Sequence, residues 1–258
     1  MSNPVFYAAP EQLMALVPGD LFLLDGPEGR HAAIVKRLTA GEPVDMCDGA
    51  GLRLVCTVTG ADKASLTVRV DSVLPEGTPA IPFTLVQALA KGDRDELAIE
   101  TATELGIDAV VPWQAERSIV RWKMDKAIKG PEKWRQVVAA GAKQARRSAV
   151  PQVGSLVGTA GVCELIAGAG LAVILHEVAV DSLATVAREW LAAEPDEALR
   201  QRGVVMIVGP EGGMSSAEVD AFRAAGARTA LLGHHVLRSS TAGPAAVVVL
   251  SQELGRWQ

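Results

Sequence analysis

Cysteine is scarce and unpaired in this sequence: Cys47, Cys56 and Cys163 stand far apart, with no CxxC spacing. That argues against a disulfide scaffold and a cysteine zinc site, and leaves buried free thiols in a reducing compartment as the expectation. No apolar run is long and clean enough to span a bilayer. Residues 242–250 come nearest, but the run is short and carries Gly243-Pro244. The opening MSNPVFYAAP has neither the basic region nor the apolar stretch of a signal peptide, so a cytoplasmic location is expected. The common chemical motifs are missing too: GxxxxGK[ST], GxGxxG after a strand, GxSxG and HExxH. Four histidines, His31, His176, His234 and His235, assemble no evident triad. No metal site is expected.

What is present is a folded chain. Hydrophobic residues make up 49% and the mean hydropathy is positive, so a sizeable core is expected rather than disorder. At 258 residues one large or two ordinary domains fit. The net charge of −5 speaks weakly against nucleic acid, but its distribution does not. Between Arg117 and Arg147 lie ten basic residues and only two acids, Asp125 and Glu132. Such a field can steer a phosphate backbone, although a solvated helix face would look the same.

Residues 1–74 read as short strands (20–24, 52–59, 65–73) separated by turn signals, with one helix near 29–38. That pattern suggests a small barrel or sandwich. Residues 75–82 hold three prolines and read as a linker. From residue 83 strands alternate with helices, the pattern of a parallel sheet covered on both faces. Strands are expected at 84–89, 108–112, 171–176, 204–208 and 228–232. Helices are expected at 93–105, where Asp93 and Glu96 form a capping box, and at 131–147, where Pro131 suits the first turn. Three more are expected at 181–193, at 216–225 and from about 241 or 244 onward.

The second domain is organised around residues 203–213. The apolar strand Val204–Val208 stops at Gly209-Pro210-Glu211-Gly212-Gly213, and Ser215-Ser216-Ala217-Glu218 then starts a helix. Ligands of open α/β sheets bind beyond such strand ends. A second strand-end loop follows at residues 231–241. Two Gly-rich loops without evident acid–base machinery suit a preactivated cofactor that carries the chemistry.

These residues carry a resemblance. Gly209-Pro210-Glu211-Gly212-Gly213, with Leu232-Gly233-x-x-Val236-Leu237-Arg238-x-x-Thr241-Ala242, resembles the signature of the SPOUT methyltransferases, and more narrowly of the RsmE family. Residues 91–100, Thr103-Glu104-Leu105-Gly106, Glu116-Arg117-Ser118 and Gln144-x-Arg146-Arg147-x-x-x-Pro151 are similar to further family segments, in order. In the N-terminal part His31-x-x-x-Val35-x-Arg37-x-x-x-Gly41 resembles the family's PUA-like RNA-binding domain.

The resemblance implies a PUA-like β-barrel domain (1–74), a linker (75–82) and a SPOUT α/β domain (83–258) with a deep C-terminal trefoil knot. It implies an antiparallel homodimer that uses S-adenosylmethionine to methylate N3 of a uridine in 16S ribosomal RNA of the 30S subunit. By the same resemblance, Leu175, His176, Glu177, residues Gly209, Pro210, Glu211, Gly212 and Gly213, and Leu232, Gly233, Val236 and Leu237 bind the cofactor. Arg238 is the expected catalytic residue. Arg30, His31, Lys36, Arg37, Arg117, Arg121, Arg146 and Arg147 are expected RNA contacts.

A guanidinium fits the reaction, because uracil N3 must lose its proton before it attacks and the charge then spreads over O2 and O4. His234 or His235 could take that proton, as could water. Glu211 could touch the cofactor or simply brace the loop. The sequence departs from the family at Ser240, where Glu is frequent. Another SPOUT acceptor such as a ribose 2′-hydroxyl, a non-enzymatic RNA-binding protein with a relic pocket, and an unrelated phosphate-binding α/β protein stay open at this point.

Overall fold

The computed structural model describes residues 3–194 and 196–257; Met1 and Ser2, at the head of the first expected domain, lie outside the described residues, as do Pro195 and Gln258. The chain forms two compact units. One comprises Met1–Thr78 together with Ala142–Val150, the other Pro79–Gly141 together with Pro151–Gln258.

The first unit is a five-stranded mixed sheet of β1 (Val5–Tyr7), β2 (Leu21–Leu24), β3 (Pro43–Cys47), β4 (Leu52–Ala61) and β5 (Leu66–Pro75), in the order β1-β3-β4-β5-β2. Only the β1–β3 pair is parallel. Leu66, Val68 and Val70 alternate inward along β5 and meet Phe6, Val44, Met46, Leu54 and Val58. The sequence pattern missed β1 and β3, which are short and lack clean alternation. The helix expected over 29–38 begins earlier, as α2 (Gly26–Arg30) with Pro27 in its first turn, and runs into a π-helical turn, His31–Val35. Arg37 then takes a left-handed conformation and closes it. A short α1 (Pro10–Leu13) precedes β2.

Residues 142–150 are tied into this unit by polar contacts. Arg53 pairs with Asp45 (2.7 Å) and Glu76 (2.5 Å) and donates to the Arg146 carbonyl (2.9 Å). The Tyr7 hydroxyl donates to the Arg147 carbonyl (2.7 Å), and Lys143 meets both oxygens of Glu28 at 2.7 Å. The Ser148 hydroxyl bonds Glu76. Burial pushes the Cys47 and Cys56 thiols up to about 12. Cys163, expected to be buried like them, is only half-buried.

The second unit is a six-stranded, all-parallel sheet of β6 (Phe83–Ala88), β7 (Ala109–Trp113), β8 (Gln152–Val153), β9 (Leu171–Leu175), β10 (Val204–Val208) and β11 (Arg228–Ala230). The order is β11-β9-β10-β6-β7-β8, and β10 is buried throughout. Helices α5 (Thr159–Gly168) and α8 (Ser216–Ala224) contribute Val162, Ile166 and Phe222 to one core layer with Val86, Ile174 and Ile207. Helices α3 (Arg94–Glu104), α6 (Leu183–Ala193) and α9 (Ser239–Glu253) pack together, α9 also lying on β6 and β10. A Cβ at Gly243 would sit 2.8 Å from a Leu85 methyl, so glycine lets α9 approach β6 this closely. A further short helix is α7 (Glu197–Gln201).

Three sequence expectations are corrected here. Asp93 makes no capping box: it sits in the left-handed region without a side-chain cap bond, and Glu96 instead pairs with Lys133 at 2.6 Å. Pro131 is not in a first turn, because α4 (Asp125–Gln144) begins six residues earlier and carries it inside. α9 starts at Ser239, ahead of both expected starts. No helix of the described residues is long and apolar enough to cross a membrane.

Two stability outcomes follow from these contacts. Asp45 is 4% exposed, so Arg53→Ala leaves a buried carboxylate with only the neutral Asn3 amide (2.8 Å) as partner and is expected to destabilise the first unit by about 3 kcal/mol in chemical denaturation. In the second unit, burial raises Asp95 to about 6, against bonds from the Ala90 and Glu96 N–H groups that favour its charged form. The folded state therefore retains a proton that the unfolded state releases, and stability falls as pH rises from about 4 through 6. Asp95→Asn is expected to be more stable than wild type by about 3 kcal/mol at pH 7.5, with the difference shrinking as pH falls toward 4.

Candidate functional site

The carboxyl ends of β9, β10 and β11 open into a cavity of about 690 Å³ in the second unit. Three loops build it. After β9, Leu175, His176 and Glu177 line one wall; after β10, Gly209 to Met214 line the next; after β11, Leu231 to Gly233 and His235 to Arg238 line the third. All twelve residues expected to bind a cofactor, and Arg238, thus face one space. His234 does not line it, whereas His235 does.

The loops are locked to one another by backbone bonds. Leu231 N–H donates to the Asp181 carbonyl (3.0 Å), and Leu183 N–H donates to the Leu231 carbonyl (2.9 Å). His176 N–H donates to the Ala230 carbonyl (3.0 Å). The middle loop turns through Gly213, whose φ of +71° lies in the region that favours glycine, and the Gly213 N–H closes on the Pro210 carbonyl (2.9 Å). It then enters α8 through a capping box: Ser215 Oγ accepts from the Glu218 N–H, and Glu218 returns the bond to the Ser215 N–H (2.8 Å). The other Glu218 oxygen accepts from the Glu116 N–H (2.7 Å), which fixes residues 116–118 beside the loop.

Charge rims the cavity. Arg94, Arg117 and Arg238 line it, with Glu177 and Glu211 as the carboxylates. Glu211 accepts from the Lys91 N–H (3.1 Å) and the Arg94 guanidinium (3.2 Å), so it braces the 91–94 turn as well as facing the cavity. Arg117 Nη1 lies 3.4 Å from the Gly212 carbonyl. Sequence reasoning missed Arg94, Met214 and Ser239 as lining residues. Arg94 precedes its partner by more than a hundred positions, and Ser239 falls at an unspecified position of the family signature. Ser240, in place of the frequent Glu, is buried and does not line the cavity.

The expected RNA contacts divide between the units. Arg117 and Arg121 belong to the second, and Arg121 donates to the Glu116 carbonyl (3.0 Å). Arg30, His31, Lys36, Arg37, Arg146 and Arg147 belong to the first. Arg30, Lys36, Arg37 and Arg146 are exposed, Arg37 and Arg146 at positive φ. His31 is different: it packs edge-on against Phe6 and lies 3.1 Å from the Lys143 ammonium. Burial and that ammonium lower its pKa, which favours a neutral ring. Trp113 and Trp134 are fully buried, in line with core roles, and Trp122 stacks edge-on against Trp134. Among the described residues no group of three His, Cys, Asp or Glu could hold a metal ion.

A pocket of this kind at the carboxyl ends of a parallel sheet defines a small-molecule-binding α/β domain. The sequence model of an RNA methyltransferase domain matches residues 77–251. The ribosomal RNA small subunit methyltransferase E of Mycobacterium bovis is 37% identical over 93% of this chain and 89% of its own length. Two solved structures are similar over nearly their whole lengths. One is the ribosomal RNA small subunit methyltransferase E of Neisseria gonorrhoeae bound to S-adenosylmethionine (25% identity, 97% of this chain and 98% of that one, TM-score 0.78). The other is a putative methyltransferase of Legionella pneumophila in complex with the same cofactor (26%, 98% of each, TM-score 0.77). The chain belongs to the family of ribosomal RNA small subunit methyltransferase E.

Glu218 offers a test of how the middle loop is held. Glu218→Ala frees the buried Ser215 N–H and the part-buried Glu116 N–H and is expected to destabilise the second unit by about 2 kcal/mol, read as a lowered denaturation midpoint.

Proposed function

We propose that this protein methylates N3 of a uridine in small-subunit ribosomal RNA, with S-adenosylmethionine as donor, in the cytoplasm. The observation that carries the reading is the convergence of three separate strand-end loops on one cavity with Arg238 on its wall. The residues present fit the cofactor. The volume lies in the range of small-molecule sites. Apolar Leu175, Leu232 and Leu237 suit an adenosine, while Glu177 and Glu211 suit a sulfonium or ribose hydroxyls. The buried Ser239 hydroxyl has no partner among the described residues, as a group that a ligand satisfies would.

When bound, the cofactor supplies a methyl group made electrophilic by its positive sulfur. The protein's part is to bind, orient and adjust charge. Arg238 stabilises negative charge on the uracil as N3–H is lost, which raises the fraction of nucleophile present at neutral pH. The proton passes to water or to His235, the one of the adjacent histidines on the cavity wall. With Ser240 off the cavity, no carboxylate at that position takes part. Arg94 and Arg117 add positive potential that attracts a polyanionic acceptor.

The first unit is the expected PUA-like RNA-binding domain in this reading. Its mixed five-stranded sheet and the exposed Arg30, Lys36, Arg37 and Arg146 support that role. The deep trefoil knot is supported by residues 181–183 reaching β11, beyond which the chain turns back to form α9. A homodimer is supported by Val178, Val180 and Val236, which are 74%, 92% and 75% exposed on the loops around the cavity.

The reading is tested by mapping modified nucleotides in small-subunit ribosomal RNA from cells with and without the protein. Loss of one 3-methyluridine on deletion is expected; an unchanged signal overturns the assignment. Arg238→Ala is expected to lower kcat by about 10²–10³-fold with little change in cofactor affinity. Equal losses in both would remove its catalytic role.

A further inference from the structure

We infer that the first turn of α9 is an oxyanion site, in which the Ser239 hydroxyl and its own N–H, beside Arg238, hold a negatively charged oxygen. The inference rests on the reading of the cavity as a cofactor and acceptor pocket. Two independent observations carry it.

The first is the Ser239 side chain. The residue lines the cavity, is only 8% exposed, and its Oγ has no hydrogen-bond partner among the described residues. Leaving a buried hydroxyl unpaired costs about 1–3 kcal/mol, so such a group calls for a partner from outside the chain. A hydroxyl inside a helix avoids the problem by bonding the carbonyl one turn back, as Thr103 does with Ile99 (2.7 Å) in α3. Ser239 is the first residue of α9, and no turn precedes it.

The second is the helix itself. α9 is 15 residues long, and its N-cap position is occupied by Arg238, which offers no acceptor. The N–H groups of Thr241 and Ala242 fold back to the Arg238 carbonyl (2.8 and 3.0 Å). That of Ser239, the cavity-lining residue, comes before the first intrahelical bond and points out of the helix start, at the positive end of its dipole. Hydroxyl, amide and guanidinium thus come from two consecutive residues, a donor set without a carboxylate.

Two ligand oxygens share the required chemistry: the α-carboxylate of the cofactor's amino-acid tail, and the uracil carbonyl oxygen that carries charge once N3–H is lost. The test uses the full-length protein as wild type, Ser239→Ala and Ser239→Thr. Calorimetry with S-adenosylhomocysteine is compared with 5′-methylthioadenosine, which lacks the amino-acid tail, and methyl transfer to 30S subunits is followed against pH.

If the carboxylate sits there, Ser239→Ala loses about tenfold or more in affinity for S-adenosylhomocysteine, the worth of a hydrogen bond to a charged group, and none for methylthioadenosine. If the uracil oxygen sits there, both affinities hold, kcat falls about tenfold or more, and the rate rises to its plateau at a higher pH. Ser239→Thr restores the wild-type behaviour in either case. Affinities and pH profile all within twofold of wild type overturn the inference. Wild-type protein that binds neither nucleoside overturns the cavity reading, and this inference with it.

Discussion

Everything at the candidate site depends on the clasp at Leu231. Its N–H and carbonyl are shared between Asp181 and Leu183, so the chain after β9 is pinned to the chain after β11. Two backbone bonds are modest in energy, but they act where loops would otherwise pay full conformational entropy to converge. With those two loops held, the Gly209 to Gly213 turn between them needs only its own anchors. It has them in Gly213, Ser215 and Glu218. The cavity is therefore preformed by main-chain geometry, and its specificity is left to a few side chains on the rim.

That division explains what could be read from the sequence. The strand over residues 204–208 was legible to the residue, because five consecutive buried apolar residues bounded by glycines have no other good use. The loops that follow β10 and β11 carry the residues of the family signature, and the loop after β9 was placed only by what the resemblance implies. Arg94, Met214 and Ser239 were not legible, since their membership of the site comes from tertiary placement and carries no local pattern. Glu211 shows the same limit from the other side: its bracing of Lys91 and Arg94 depends on a neighbour far away in sequence.

The misread elements share a cause. Pro131 and Asp93 were assigned the positions that their propensities favour, the first turn and the N-cap. In the fold the helix runs through Pro131, and Asp93 turns left-handed, while Lys133 takes up Glu96. β1, β3 and β8 were missed because they are short and lack the continuous apolar run that marks β9 and β10. Tertiary context overrode local preference in each case.

The polar ties of residues 142–150 to the first unit have a consequence for how the chain is made. Tyr7, Glu28, Arg53 and Glu76 all find partners between Lys143 and Ser148. During synthesis the N-terminal 78 residues leave the ribosome with Arg53 lacking one acceptor and Glu28 lacking its ammonium. The unit can reach its final state only after some seventy further residues have emerged, and closing that long loop slows the last step of folding. This unit is thus completed only after much of the second has emerged.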